Sequence, residues 1–211
     1  MEEGCQLFYL RLSHMTIQGV VFDFDNTIAT LDVSTFLRHP VKATVLKEMK
    51  EICDQHRGFR LSNFSRRVAQ STARKELLEQ HDQYSIQLYK KQHIHHEIHK
   101  IIQYCDQNNI ARAVLSDHPC IQKLQAIGLS SGWSAIVHCR HYQALKPLPD
   151  ALFAVSAQLG IAPSTLLMIG DRWDTDALMA YHAGTHFIHS SMLKTVLQQI
   201  RCINPNSDVI D

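Results

Sequence analysis

Val20-Val21-Phe22-Asp23-Phe24-Asp25-Asn26-Thr27 decides the reading of this 211-residue chain. A β-branched and aromatic run over residues 17–22 reads as a buried strand. It stops at Asp23 and Asp25, with Thr27 two residues further on. Strand alternation would turn both carboxylates to the same side. Two anions so close repel each other, and a bound cation is the simplest reason for a fold to keep them.

Downstream, short apolar runs alternate with helical patterns. Strands are expected over 110–115, 134–137, 166–169 and 186–188. Helices are expected over 120–127, 150–159, 174–183 and 193–201, the first three closed by Gly128, Gly160 and Gly184. Strands alternating with helices mean βαβ units and a parallel sheet. Between the first strand and the second the pattern is helical: 41–53, a helix opening at Ser62 or Asn63 and running toward Gln80, and a long stretch over 83–107 divided near Gln92. A crossover needs far fewer residues, so this insert reads as a second small domain. The expected division is a core of residues 1–31 and 96–211, with a helical unit over 32–95. Residues 1–14 carry no decisive pattern.

Composition narrows the class. A hydrophobic fraction of 45% supports a real core. A net charge of +1 exerts no broad pull toward nucleic acid or a membrane surface. No apolar run approaches the roughly 18 residues of a membrane span. Glu2, Glu3 and Arg11 make the N-terminus a poor signal peptide. The six cysteines are scattered without a Cys-x-x-Cys pair, which fits a reducing compartment. A cytoplasmic protein with neither nucleic-acid nor membrane partners is expected; the oligomeric state is not assigned.

Ligands of an open parallel sheet bind beyond the carboxyl ends of its strands. Polar residues recur at those ends here: Asp23 and Asp25 after the first strand, Ser116 after the second, Lys146 a loop beyond the third, and Asp171 after the fourth with Asp174 and Asp176 close behind. Carboxylates, a hydroxyl and an ammonium are parts for holding Mg2+ and a phosphoryl group.

In that order the motifs resemble the haloacid dehalogenase superfamily. They are Asp23-Phe24-Asp25-Asn26-Thr27, Ser116, Lys146-Pro147 and Gly170-Asp171-Arg172-Trp173-Asp174-Thr175-Asp176. The resemblance covers roughly residues 16–32 and 100–190. It points to the phosphatase branch of the phosphoglycolate phosphatase and β-phosphoglucomutase kind. It implies an α/β fold with a Rossmann-like parallel sheet, helices on both faces, and a small all-helical cap inserted after the first motif strand. It also implies a mechanism. Asp23 is then the nucleophile that forms an aspartyl-phosphate. Asp25 is the acid for the leaving oxygen and then the base for water. Mg2+ joins Asp23, the backbone carbonyl of Asp25 and Asp171. Thr27, Ser116 and Lys146 bind phosphoryl oxygens, Lys146 also neutralising charge. Asp176 supports Lys146 or a metal-bound water, and Asp174 is an alternative for that work.

The same residues admit other readings. A calcium loop wants Gly at its sixth position, which here is Ile28. Asp174 and Asp176 alone would also suit a helix N-terminus. Asn26 stands where the family often has Gly, and Asn tolerates a left-handed backbone better than most residues. Within the family, an acid at position 25 argues for an oxygen leaving group, hence phosphate-ester chemistry. The His93, His95, His96 and His99 cluster reads as a solvated helix face, and Arg57, Arg60, Arg66 and Arg67 as ordinary solvated arginines. The expected activity is Mg2+-dependent hydrolysis of a small phosphorylated metabolite. The alternatives are phosphoryl transfer to a sugar phosphate, or a non-catalytic binding module on the same fold.

Overall fold

The computed structural model describes residues 16–30 and 93–203, with residues 79, 82–83 and 86–89 between them. Five strands form one sheet: β1 (Gly19–Phe22), β2 (Ala111–Ser116), β3 (Ala135–His138), β4 (Leu166–Gly170) and β5 (His186–His189). Their order is β3-β2-β1-β4-β5, and every pairing is parallel. Among the described residues five α-helices accompany them: α1 (His96–Gln107), α2 (Ile121–Ala126), α3 (Asp150–Leu159), α4 (Leu178–Ala183) and α5 (Leu193–Ile203).

Strand alternation divides the core into two apolar layers. Val20 and Phe22 face Ile98, Ile101, Leu124, Val196 and Ile200, contributed by α1, α2 and α5. Val21 faces the other way, into a layer with Leu152 and Val155 of α3 and Met179 of α4. A sheet buried on both faces needs continuous apolar strands, and all four residues of β1 are buried. This is the α/β architecture with a Rossmann-like sheet that the sequence predicts. Connections run outward from β1 to β2 and β3, then cross back to β4 and β5. The reversal sits between β1 and β4, where such sheets open a crevice for ligands.

Two elements differ from expectation. The ladder begins at Gly19 rather than Ile17, although Ile17 remains buried. The helical pattern over 83–107 is divided, as expected near Gln92, but the residues before the second helix leave the helical course. Residues 93–95 pair with the loop after β1 instead: Ile94 bridges Ala29, Thr30 N donates to His93 O, and His95 N donates to Ile28 O. Helix α1 starts only at His96. The helix expected over 41–53, that over 63–80 apart from Glu79, and the four arginines lie outside the described residues.

Phe22 is fully buried and meets Trp133 edge to face at 5.7 Å. Phe22→Ala is expected to cost about 3–5 kcal/mol of folding stability. Urea denaturation of the two proteins measures it.

Candidate active site

Asp23 extends β1 by one hydrogen bond, its N–H donating to Ile169 O at 2.8 Å. The chain then folds tightly around one carbonyl, with Ile28 N, Thr27 N and Ala29 N all directed at Phe24 O. Asn26 takes the left-handed conformation at φ 59°, the tolerance anticipated for it. Its side chain donates to Asp171.

This turn changes what the two carboxylates meet. Alternation would have aimed them together, but the ladder ends at Phe22 and each finds its own lysine. Lys146 Nζ lies 2.5 Å from Asp23 Oδ1 and 2.7 Å from Asp176 Oδ1. Lys123 Nζ lies 3.0 Å from Asp25 Oδ1. The Tyr89 hydroxyl also donates to Asp25 Oδ1.

The expected residues from the other strands arrive where β1 and β4 end. Carboxylate oxygens of Asp23, Asp171 and Asp176 lie within 4.8 Å of one another. Asp176 gets there through an irregular turn. A helix was expected from Asp174, but residues Trp173–Ala177 form a single π turn before α4 begins. Ala177 N and Asp176 N both donate to Arg172 O, so the turn is one residue wide of α-helical. Asp176 is buried, and its Oδ2 accepts from Arg172 N at 3.1 Å. Asp174 points outward and pairs with the Arg172 guanidinium at 2.7 Å. Of the two candidates for the supporting position, Asp176 therefore reaches the cluster and Asp174 does not.

Ser116 is fully buried at the end of β2, its Oγ accepting from His118 N at 3.3 Å. Thr27 is also fully buried, and its Oγ1 has no hydrogen-bond partner among the described residues. A buried hydroxyl without a partner is costly, and an oxyanion ligand would answer it.

The electrostatics separate the two acids. Burial pushes the Asp23 carboxyl up, to about 8, opposed by Lys146 and reinforced by Asp176 and Asp25. Burial also raises Asp171, with Asp176 adding to it. Burial works against the charge of Lys146, but Asp23, Asp176 and Asp117 outweigh it and hold the ammonium well above its usual range. Two of the three clustered carboxyls thus share one ammonium, and Asp171 lies beside them. The excess negative charge and the all-oxygen donor set fit a hard divalent cation. Asp25 behaves differently. Burial would raise it, but the Lys123 charge and the Tyr89 hydrogen bond bring it below the ordinary range.

Lys123 and Tyr89 escaped the sequence reading. For Lys123 a signal existed: it shares a helical face with Cys120 and Ile127, both buried, so periodicity alone puts an ammonium on the apolar side of α2. Tyr89 stood among the apolar positions of a helical pattern, and nothing marked it as a partner of Asp25. Asp82, from the same inserted stretch, was also missed. It meets Arg140 at 2.5 Å and His118 Nδ1 at 3.1 Å. The histidines expected on a solvated face fit that reading in α1, where His96 and His99 are exposed and Glu97 pairs with Lys100.

A parallel α/β sheet thus carries an acidic, lysine-braced cluster at its switch point, where such sheets bind their ligands. The chain belongs to the haloacid dehalogenase-like hydrolase family, whose sequence profile matches residues 20–190. Solved structures share the fold at low identity. A β-phosphoglucomutase from Clostridium difficile is 16% identical over 82% of this chain and 84% of its own, with a TM-score of 0.63. A HAD phosphatase from Thermococcus onnurineus is 17% identical over 87% of this chain and 99% of its own, with a TM-score of 0.55. CbbY from Rhodobacter sphaeroides, solved with xylulose-(1,5)bisphosphate, is 15% identical over 82% of this chain and 86% of its own, with a TM-score of 0.59. No curated protein matches the chain in sequence.

Gly170 is what lets Asp176 approach. A Cβ there would stand 2.5 Å from Asp176 Cγ and 2.6 Å from its Cβ. Gly170→Ala is expected to displace Asp176 and weaken divalent-cation binding by about 10–100-fold, as loss of a supporting group does. Calorimetric titration with Mg2+, on protein shown to be folded by circular dichroism, tests it.

Proposed function

We propose that this protein is a Mg2+-dependent phosphatase that hydrolyses a small phosphomonoester through an aspartyl-phosphate. The observation that carries the reading is the cluster of Asp23, Lys146, Asp171 and Asp176, set apart from Asp25 and its own lysine. A nucleophile and an acid/base have opposite needs, and separate counter-charges let one site hold both.

In the proposed sequence an Asp23 oxygen attacks phosphorus. The bond from phosphorus to the leaving oxygen breaks, and Asp25 gives that oxygen its proton. Water then attacks the aspartyl-phosphate as Asp25 takes a proton from it. The bond between Asp23 and phosphorus breaks, and inorganic phosphate leaves. Thr27 Oγ1 and Ser116 Oγ donate to phosphoryl oxygens, and the Lys146 ammonium offsets charge on nucleophile and phosphate. Asp23, Asp171 and the backbone carbonyl of Asp25 would hold Mg2+, with Asp176 supporting. When bound, the ion supplies the charge that lets an anionic nucleophile meet an anionic substrate.

Residues 32–95 are proposed to form a cap that closes over the site and contacts the leaving group, which favours a small metabolite over a macromolecular substrate. The free buried thiols of Cys105, Cys120 and Cys139 support a reducing, cytoplasmic setting.

Asp23→Asn should abolish turnover while leaving the melting temperature nearly unchanged, because it removes a nucleophile rather than core packing. Retained activity would refute the assigned role. EDTA should silence phosphate release, and added Mg2+ should restore it. The deciding assay is phosphate release from a panel of sugar, glycolyl and nucleoside phosphates, with and without metal. Transfer of the phosphoryl group to a second sugar phosphate, in place of release, would make the protein a mutase. No reaction on any substrate would leave a binding module.

A further inference from the structure

Asp25 sits in an environment that the scheme above does not require. Lys123 Nζ lies 3.0 Å from Oδ1 and 3.4 Å from Oδ2, and the Tyr89 hydroxyl donates to Oδ1. The Lys123 side chain is 2% exposed, whereas that of Asp25 is 36% exposed. The ammonium also lies 5.4 Å from the centre of the Phe24 ring and 5.2 Å from that of Tyr89. Those two rings meet edge to face at 5.0 Å.

A lysine buried this deeply is rare and costly unless it is paired. An apolar residue on the same face of α2 would serve packing at least as well. What the lysine adds is a fixed direction for a carboxylate that remains reachable from outside. Two donors hold that carboxylate from the protein side, and two rings flank the ammonium that is one of them.

We propose that Lys123 and Tyr89 are positioning residues for the phosphoryl chemistry, holding the Asp25 carboxyl so that Oδ2 is the oxygen that exchanges a proton with the leaving group and with water. Oδ1 already accepts from two close donors, while among the described residues Oδ2 has only the longer Lys123 contact. This inference rests on the phosphatase reading. It makes the leaving group the place where loss of either residue shows. An alkyl phosphate releases a strongly basic oxygen that needs the proton; a nitrophenyl phosphate releases a weakly basic one that does not.

The test compares wild type, Lys123→Met and Tyr89→Phe on 4-nitrophenyl phosphate and on a panel of alkyl phosphates, by kcat/KM, which reports steps up to departure of the leaving group. Lys123→Met keeps the length of the stem, and Tyr89→Phe keeps the ring against Lys123. Lys123→Met should lose about 100-fold on alkyl phosphates, the scale of a misplaced catalytic group, and far less on the aryl ester. Tyr89→Phe should show a smaller loss with the same bias. Equal losses on both classes, or none, would overturn the inference, since a residue serving only stability has no reason to distinguish leaving groups. A wild type that hydrolyses no phosphate ester would overturn the phosphatase reading and this inference together; an active wild type matched by both variants would overturn this inference alone.

Discussion

One buried ammonium ties the site together. Lys146 reaches Asp23 at the end of β1 and Asp176 in the turn after β4, and its own backbone N–H donates to Asp117 beyond β2 at 3.0 Å. Three connections that are far apart in the chain converge on it. The residue is buried, so its charge is not screened by solvent and must be matched locally. The carboxylates that match it cannot move independently. A cluster of this kind is not a stabilising device by itself, because desolvation takes back much of what Coulomb attraction gives. The two apolar layers around the sheet carry the fold, and the cluster uses their rigidity.

The site's second lysine gives the arrangement its asymmetry. Had both acids shared Lys146, protonating one would have altered the other, and the two would have titrated as a unit. Lys123 gives Asp25 a counter-charge of its own, flanked by the Phe24 and Tyr89 rings, although Asp25 still adds to the rise at Asp23. The directions follow: burial dominates at Asp23 and raises its carboxyl, while at Asp25 the lysine and the tyrosine outweigh burial.

Much of this was legible in the sequence where the cause is local. Continuous apolar runs define β1, β2 and β4 to within two residues, because a two-faced buried sheet admits little else. That Asp23, Asp171 and Lys146 would gather was legible because each follows a strand whose end is predictable. Which of Asp174 and Asp176 turns inward was not legible. Helical periodicity assumes an α-helical turn there, and the wide turn held by Arg172 O shifts the register. Tyr89 was unreadable for a different reason. Its partner Asp25 is 64 residues away, and pattern analysis has no term for contacts across that distance. Lys123 lies between these cases, since its helical face was computable and only its partner was not.

Asp23 and Asp25 also differ in where their restraints come from. The partners of Asp23 follow β3 and β4, within the chain that builds the sheet. Asp25 is held by α2 on one side and by Tyr89, which precedes α1, on the other. That preceding stretch is joined to the sheet through residues 93–95, whose backbone pairs with the loop carrying Asp25 itself. The loop therefore receives the inserted stretch twice, by backbone at Ala29 and by side chain at Asp25. Among the described residues, the restraints on Asp25 thus come from α2 and the inserted stretch, and those on Asp23 from the chain after β3 and β4.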